Sequence, residues 1–180
     1  DEQNPASLGV PPDPGYQGHD GVAREDAADG EAKAGKKAKI NAAGSAQGYM
    51  LHDIRKLCLW GTLMAGGAGV EYYFGYKLPQ NDLVCEDFRS RDRSWDFCRI
   101  ALSFFKDNVV PFWEMKNADA LVGNGQNDNS KYCLAKPGEL YVVYLPNGGT
   151  TDLDLAGANG AFTVKWFNPR VGGVLQEGSV

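Results

Sequence analysis

Residues 132–167, YCLAKPGELYVVYLPNGGTTDLDLAGANGAFTVKWF, decide the class of the C-terminal part of the chain. The apolar period there is two, as expected where successive side chains point to opposite faces of a sheet. Four strand-length runs, YCLAK, ELYVVYL, TDLDL and AFTVKWF, are separated by Pro137-Gly138, Asn147-Gly148-Gly149 and Ala158-Asn159-Gly160. Asn-Gly favours a type I′ hairpin turn, because both of its central residues need positive φ. In TDLDL the leucines alternate with aspartates, so one face is expected to be wet. These runs predict a small antiparallel β-sandwich over 131–180, with GGVLQEGSV supplying part of a fifth strand. So few strands suggest that the sandwich is truncated.

Upstream the period becomes helical. Met50, Ile54, Leu57, Cys58 and Met64 predict a helix that Gly66-Gly67 ends. The run AGVEYYFGY (68–76) is rich in aromatic side chains over a strand's length. A second helix is expected to carry Trp95, Cys98, Leu102, Phe105 and Val109 on its buried face, with Asn108 and Pro111 closing it. Helix, strand, loop and helix in succession form an α/β signature. Phe112, Trp113 and Met115 are expected to bury the junction with the β part, and residues 121–130 read as a linker. Residues 1–23 are a proline-rich loop. Residues 24–48, poor in aromatic side chains and rich in Ala, Gly and charge, read as a mobile insertion.

Composition narrows the functions. The 180 residues carry a net charge of −5, with 43% apolar and 23% charged side chains. A chain without a basic excess is a poor partner for nucleic acid. No apolar run reaches the roughly 18 residues of a membrane helix, so no membrane partner is expected. Cys58, Cys85, Cys98 and Cys133 are far apart and form no zinc-binding spacing, and His19 and His52 are isolated. Neither a metal nor another cofactor is expected. P-loop, nucleophile-elbow and zinc-peptidase motifs are lacking.

Several runs carry a resemblance: LWGTLMAGGAGVEYYFGY (59–76), EDFRSRDRSW (86–95), ALSFF (101–105), PFWEM (111–115), YCLAKPGELYVVYLP (132–146), LDL (153–155) and FTVKWFNPRVGG (162–173). Together they resemble a family that joins a glycoside-hydrolase-like barrel to a C-terminal domain described as collagen-binding, of a collagenase. Apiosidase-type pectin-degrading enzymes share this layout. The resemblance implies an α/β part followed by an all-β part. Residues 1–120 would be the last strands and helices of a (β/α)8 barrel, and 131–180 the accessory sandwich. It also implies secretion or a periplasmic location, a polysaccharide or oligosaccharide substrate, and an extracellular matrix polymer as alternative partner. So short a piece of a barrel is expected to be inactive alone.

In such a barrel the active site lies at the C-terminal ends of the strands. The resemblance makes 68–76 the eighth strand and DEQN (1–4) the exit of the seventh, so Glu2 is the candidate nucleophile. A glycosidase needs two carboxyl groups about 5–5.5 Å apart for retention, or roughly 6.5–9.5 Å for inversion. Glu71, Tyr72 and Tyr73 would then face the cleft. Asp82, Asp87 and Arg89, in the loop after the eighth strand, would bind sugar hydroxyls. The bland alternatives are solvated terminal acids for Glu2, an ion pair with Arg55 or Arg89 for Glu71, core packing for the tyrosines, and a salt-bridge network or helix cap for the loop. Neither ELYVVYL nor TDLDL offers an aromatic or arginine-rich platform. The strands themselves are therefore expected to bind collagen weakly, unless loops contribute.

Overall fold

The computed structural model describes Val10, Pro12, Asp13, Tyr16, residues 51–74 and residues 87–179. Glu2, Asp82, Cys85 and the insertion expected over 24–48 lie outside the described residues. The chain divides into two units, one made of Asp1–Leu59 and Val70–Asp96, the other of Trp60–Gly69 and Phe97–Val180.

The first helical stretch comprises α1 (Leu51–Asp53), a π-helical run Ile54–Trp60 and α2 (Gly61–Met64). In the first unit, Ile54 and Cys58 are buried with Val10, and Tyr72 and Phe74 pack against them. Backbone bonding adds to this contact, since the Val10 N–H donates to the Tyr73 carbonyl at 2.6 Å. Helix α2 ends as its glycines predict. Gly66, at φ +95°, donates to the Leu63 carbonyl, and the Gly67 N–H donates to that of Thr62. This is the Schellman pattern, with glycine in the left-handed position where a side chain would be strained.

The strand expected over 68–76 is not formed among its described residues, 68–74. Only Glu71 makes a bridge. Both strand assemblies among the described residues are antiparallel, and no part of a parallel barrel sheet is seen there. A run of aromatic residues has the propensity for a strand, but a buried parallel strand also needs neighbours to pair with.

A 3-10 turn, Phe88–Arg91, leads into α3 (Asp92–Asp107). The buried face of α3 differs from the expected one. Ser94, Phe97, Ile100, Ala101 and Phe104 are buried, whereas Leu102 is 71% exposed and Val109 is 78% exposed. Both stripes satisfy helical spacing, because this helix is apolar on more than one side. Cys58 and Cys133 are free thiols, and burial pushes the Cys58 thiol up to about 12 and, with Asp119 nearby, that of Cys133 up to about 11.

The end of α3 repeats the Schellman pattern with the wrong residue in the critical place. Val109 donates to the Lys106 carbonyl and Val110 to that of Phe105, while the Asn108 side-chain amide reaches the Phe104 carbonyl at 2.8 Å. Val109 takes the left-handed position at φ +51°. A β-branched residue there is strained. Because its side chain is exposed, Val109→Gly removes strain and little packing. It is expected to raise stability by about 1 kcal/mol in a denaturant melt, even though it frees the unfolded backbone.

The β part of the second unit is a three-stranded sheet and a separate two-stranded ladder. Strands β1 (Lys116–Asn117), β2 (Tyr132–Lys136) and β3 (Leu140–Tyr144) lie in that order, antiparallel throughout. The turn between β2 and β3 places Pro137 before Gly138 at φ +83°, with the Glu139 N–H donating to the Lys136 carbonyl. Those are the features of a type II turn. Central strand β2 is buried on both faces. On one face Val122, Cys133 and Ala135 form a cluster that Ala118, Tyr141, Val143 and Leu153 cover. The expected linker over 121–130 contains buried Val122 and Asn124. The Asn124 amide donates to the Asp128 and Lys131 carbonyls, and its oxygen accepts from the Asp128 N–H.

Two strand expectations need correction. TDLDL forms no strand, although Leu153 and Leu155 are half-buried and Asp152 and Asp154 exposed, as their alternation predicts. Its Asp154 N–H donates instead to the Leu121 carbonyl. The reason lies in the preceding turn. Positive φ occurs at Gly148 and Gly149 but not at Asn147, so Asn147-Gly148 does not make a type I′ turn. The Gly148 N–H closes a turn on Leu145 instead. AFTVKWF narrows to β4 (Lys165–Trp166), which pairs with β5 (Gln176–Glu177).

Candidate functional site

Two of the residues expected to meet substrate in the first unit, Asp87 and Arg89, are engaged with each other. Asp87 is buried and caps the Phe88–Arg91 turn by accepting from the Arg89 N–H at 3.2 Å. The same oxygen, Oδ1, accepts from Arg89 Nε at 2.8 Å, and Oδ2 accepts a short hydrogen bond from the Tyr16 hydroxyl. Burial alone would push this carboxyl up. The hydrogen bonds from Tyr16 and Arg89 outweigh it and hold Asp87 below the usual carboxylate range. Burial and the neighbouring Asp87 carboxylate raise the Tyr16 phenol in turn.

Arg91 is fully buried. Its guanidinium donates to the Val10 carbonyl at 3.3 and 3.2 Å and to Ser90 Oγ at 2.8 Å, and lies 4.6 Å from the centre of the Phe74 ring. Carbonyl oxygens and a ring face thus replace water around this cation. Asp13 Oδ2 accepts from the Arg93 N–H at 2.9 Å, capping the start of α3 from a distant part of the chain, and burial raises its carboxyl.

Of the expected cleft residues, Tyr72 lies on the core cluster and its ring is 6.4 Å from that of Trp95. The backbone of Tyr73 holds Val10, and Glu71 is exposed at the bridge position. The described members Asp87 and Arg89 come together, but around Tyr16. Glu2 and Asp82 fall outside the described residues. No group of three or more metal-ligating side chains occurs among the described residues, and no helix there is long and apolar enough to cross a membrane.

The second unit builds a different surface from the WFNPRVGG run. Phe167 turns inward, with its ring 4.8 Å from that of Phe104 and 6.0 Å from that of Trp60. Asn168 Oδ1 accepts from the Arg170 N–H, and the Gly172 N–H returns to the Asn168 carbonyl. Gly172 takes φ +70° against Ile100, where a Cβ would sit 3.2 Å from Cγ1. The run thus reverses the chain and delivers β5 to β4.

Trp166 stays 53% exposed on the resulting ladder. Its register opposite Gln176 puts Trp166, Gln176, Val164 and Gly178 on one face. The indole lies across Gly178, where an added Cβ would be 2.3 Å from Nε1. Lys165 and Glu177, on the other face, pair with each other at 3.6 Å. A second exposed indole, Trp113 at 68%, follows Phe112, so neither is a buried junction residue as expected; only Met115 is buried. Trp113 Nε1 donates to Glu114 Oε1 at 3.1 Å, and Glu114 and Glu139 both grip Lys136. Sequence reasoning passed over Gly178. The available signal was a tryptophan and a glycine in two short runs that can pair as strands.

Residues 118–180 match the family model described as "Putative collagen-binding domain of a collagenase". No curated protein matches the chain, and no solved structure does.

Proposed function

We propose that the β part of the second unit is an accessory binding module that holds a collagenase-type protein on an extracellular polymer of collagen type. The observation that carries this reading is the extent of the family match. It begins at Ala118, beside β1, and takes in β2 to β5 with the turns that position them. The exposed aromatic side chains suit such a role, because collagen-like chains are extended, rich in pyrrolidine rings and without a deep pocket of their own.

The reading of the upstream part as a glycoside-hydrolase barrel, acting on a polysaccharide through Glu2 with Glu71, Tyr72, Tyr73, Asp82, Asp87 and Arg89 at the cleft, rests on the resemblance of its sequence runs alone. The engagement of Arg89 with the buried Asp87 carboxylate favours the structural alternative for that pair. A binding module needs neither a nucleophile nor a metal, so the second unit can act without them.

Titration of the 180-residue chain with a triple-helical Gly-Pro-Hyp peptide tests the proposal. Saturable binding with Kd on the order of 1–100 μM is expected, the range of a modest interface. Melting the peptide should abolish it, since separated chains lose the rigid array of rings. Equal affinity for folded and melted peptide, or no saturation, contradicts the reading.

A further inference from the structure

We propose that Trp166, laid across Gly178 on the β4–β5 ladder, is the platform on which the imino-acid rings of a collagen-type triple helix stack. The inference rests on the collagen-binding reading above and assigns the contact within it. Three observations converge. The indole is half exposed although it belongs to a paired strand, so one surface of the ring is held by protein and the rest is open. Its seat is a close one, because glycine at 178 clears the space that a Cβ would fill at 2.3 Å from Nε1. A side chain already packed against the backbone loses less entropy on binding than a free one.

The third observation concerns charge. The face shared by Trp166, Gln176, Val164 and Gly178 is uncharged, and the nearby Lys165 and Glu177 satisfy each other on the opposite face. A Gly-Pro-Hyp helix is also uncharged, presenting pyrrolidine rings, carbonyls and hydroxyls. The indole offers an aromatic face to the rings, and the exposed Gln176 amide can donate to a carbonyl or accept from a hydroxyl. Trp113 suits this partner less well. Its N–H is occupied by Glu114, and the Glu114, Lys136 and Glu139 group beside it carries net negative charge.

A purely structural role is the competing account, in which the indole merely covers the backbone of a glycine next to a short strand. Titration of the triple-helical peptide into the whole chain and its variants, with thermal melting of each variant, separates the two. Trp166→Ala is expected to weaken binding about tenfold or more, equivalent to about 1.4 kcal/mol, while the melting temperature of the three-stranded sheet stays close to that of the parent. Trp166→Phe should recover part of the loss. Gly178→Ala leaves the indole in the chain but displaces it from its seat, and should weaken binding about fivefold. Trp113→Ala should stay within about twofold of the parent.

Binding by the parent that Trp166→Ala leaves unchanged overturns the platform and spares the module. Loss of affinity that follows loss of folding, without recovery in Trp166→Phe, makes the role structural and overturns it too. Trp166-dependent binding of a pectin oligosaccharide but not of the peptide overturns the partner. No binding of the parent to the peptide removes the collagen-binding reading and the platform together.

Discussion

Trp60→Ala is expected to cost about 4 kcal/mol and to leave the second unit marginal or unfolded. Trp60 is buried, and its ring centre lies 5.6 Å from that of Phe104, 5.8 Å from Tyr144, 6.0 Å from Phe167 and 6.5 Å from Phe105. Truncation removes the largest ring of this cluster, and side chains anchored on a helix and a strand cannot close the space without moving those elements. The conservative change is the sharper test. The indole N–H of Trp60 is buried with no hydrogen-bond partner among the described residues, so the fold already bears its desolvation. Trp60→Phe discards that donor and keeps most ring contacts. It should cost only about 1–2 kcal/mol, because a relieved polar group offsets part of the lost area. Denaturant melts followed by near-UV circular dichroism measure both variants. A Phe variant as damaged as the Ala variant would mean that the N–H is engaged.

The second large effect is expected at Asp87. Replacement by alanine removes the cap of the Phe88–Arg91 turn and the acceptor for Tyr16 and Arg89, and should destabilise the first unit by about 3 kcal/mol. Asn keeps an acceptor but not the charge, and should cost about half as much. The pH dependence follows from the direction of the shift. Asp87 is held below its unfolded pKa of about 3.9, so its contribution is complete above that value and disappears as pH falls through the lower, folded value. The Ala variant should therefore lose stability less steeply than the parent below about pH 4. Asp13 works with the opposite sign. Its carboxyl is raised by burial, so what it contributes is present at low pH and is lost as pH rises through the folded value. Comparing the two Asp87 variants with the parent cancels that background. Hydrogen exchange at the amides of 88–95 reads the effect locally. Acid limbs that superimpose for all three proteins would mean that Asp87 is not an ion held by these partners.

The sequence alone determined what depends on a few neighbouring residues. Gly66-Gly67 stops a helix because its left-handed position must be filled by a residue without strain, and Pro137-Gly138 turns β2 into β3 because proline and glycine preset the two turn positions. The alternation of Leu153 and Leu155 with aspartates announced which side chains would be covered, even without a strand. Antiparallel character in the C-terminal part was legible for the same reason, since period two survives in single runs.

Tertiary structure decided the rest. Which stripe of α3 is buried depends on what packs against it, and the sequence offers two stripes of equal spacing. The 68–74 segment has strand propensity but lacks a flanking parallel strand among the described residues, and TDLDL bonds to Leu121 because its turn directs it there. Asp87 and Arg89 looked like groups for a substrate while they were two charges in a loop. Tyr16, seventy-one positions away from Asp87, joins Arg89 in holding the buried carboxylate. The platform at Trp166 exists only because Gly178 is brought under the indole by pairing of β4 with β5. Local conformational preference is written residue by residue, whereas burial, pairing and the clearing of a seat are properties of residues that meet only when the chain has folded.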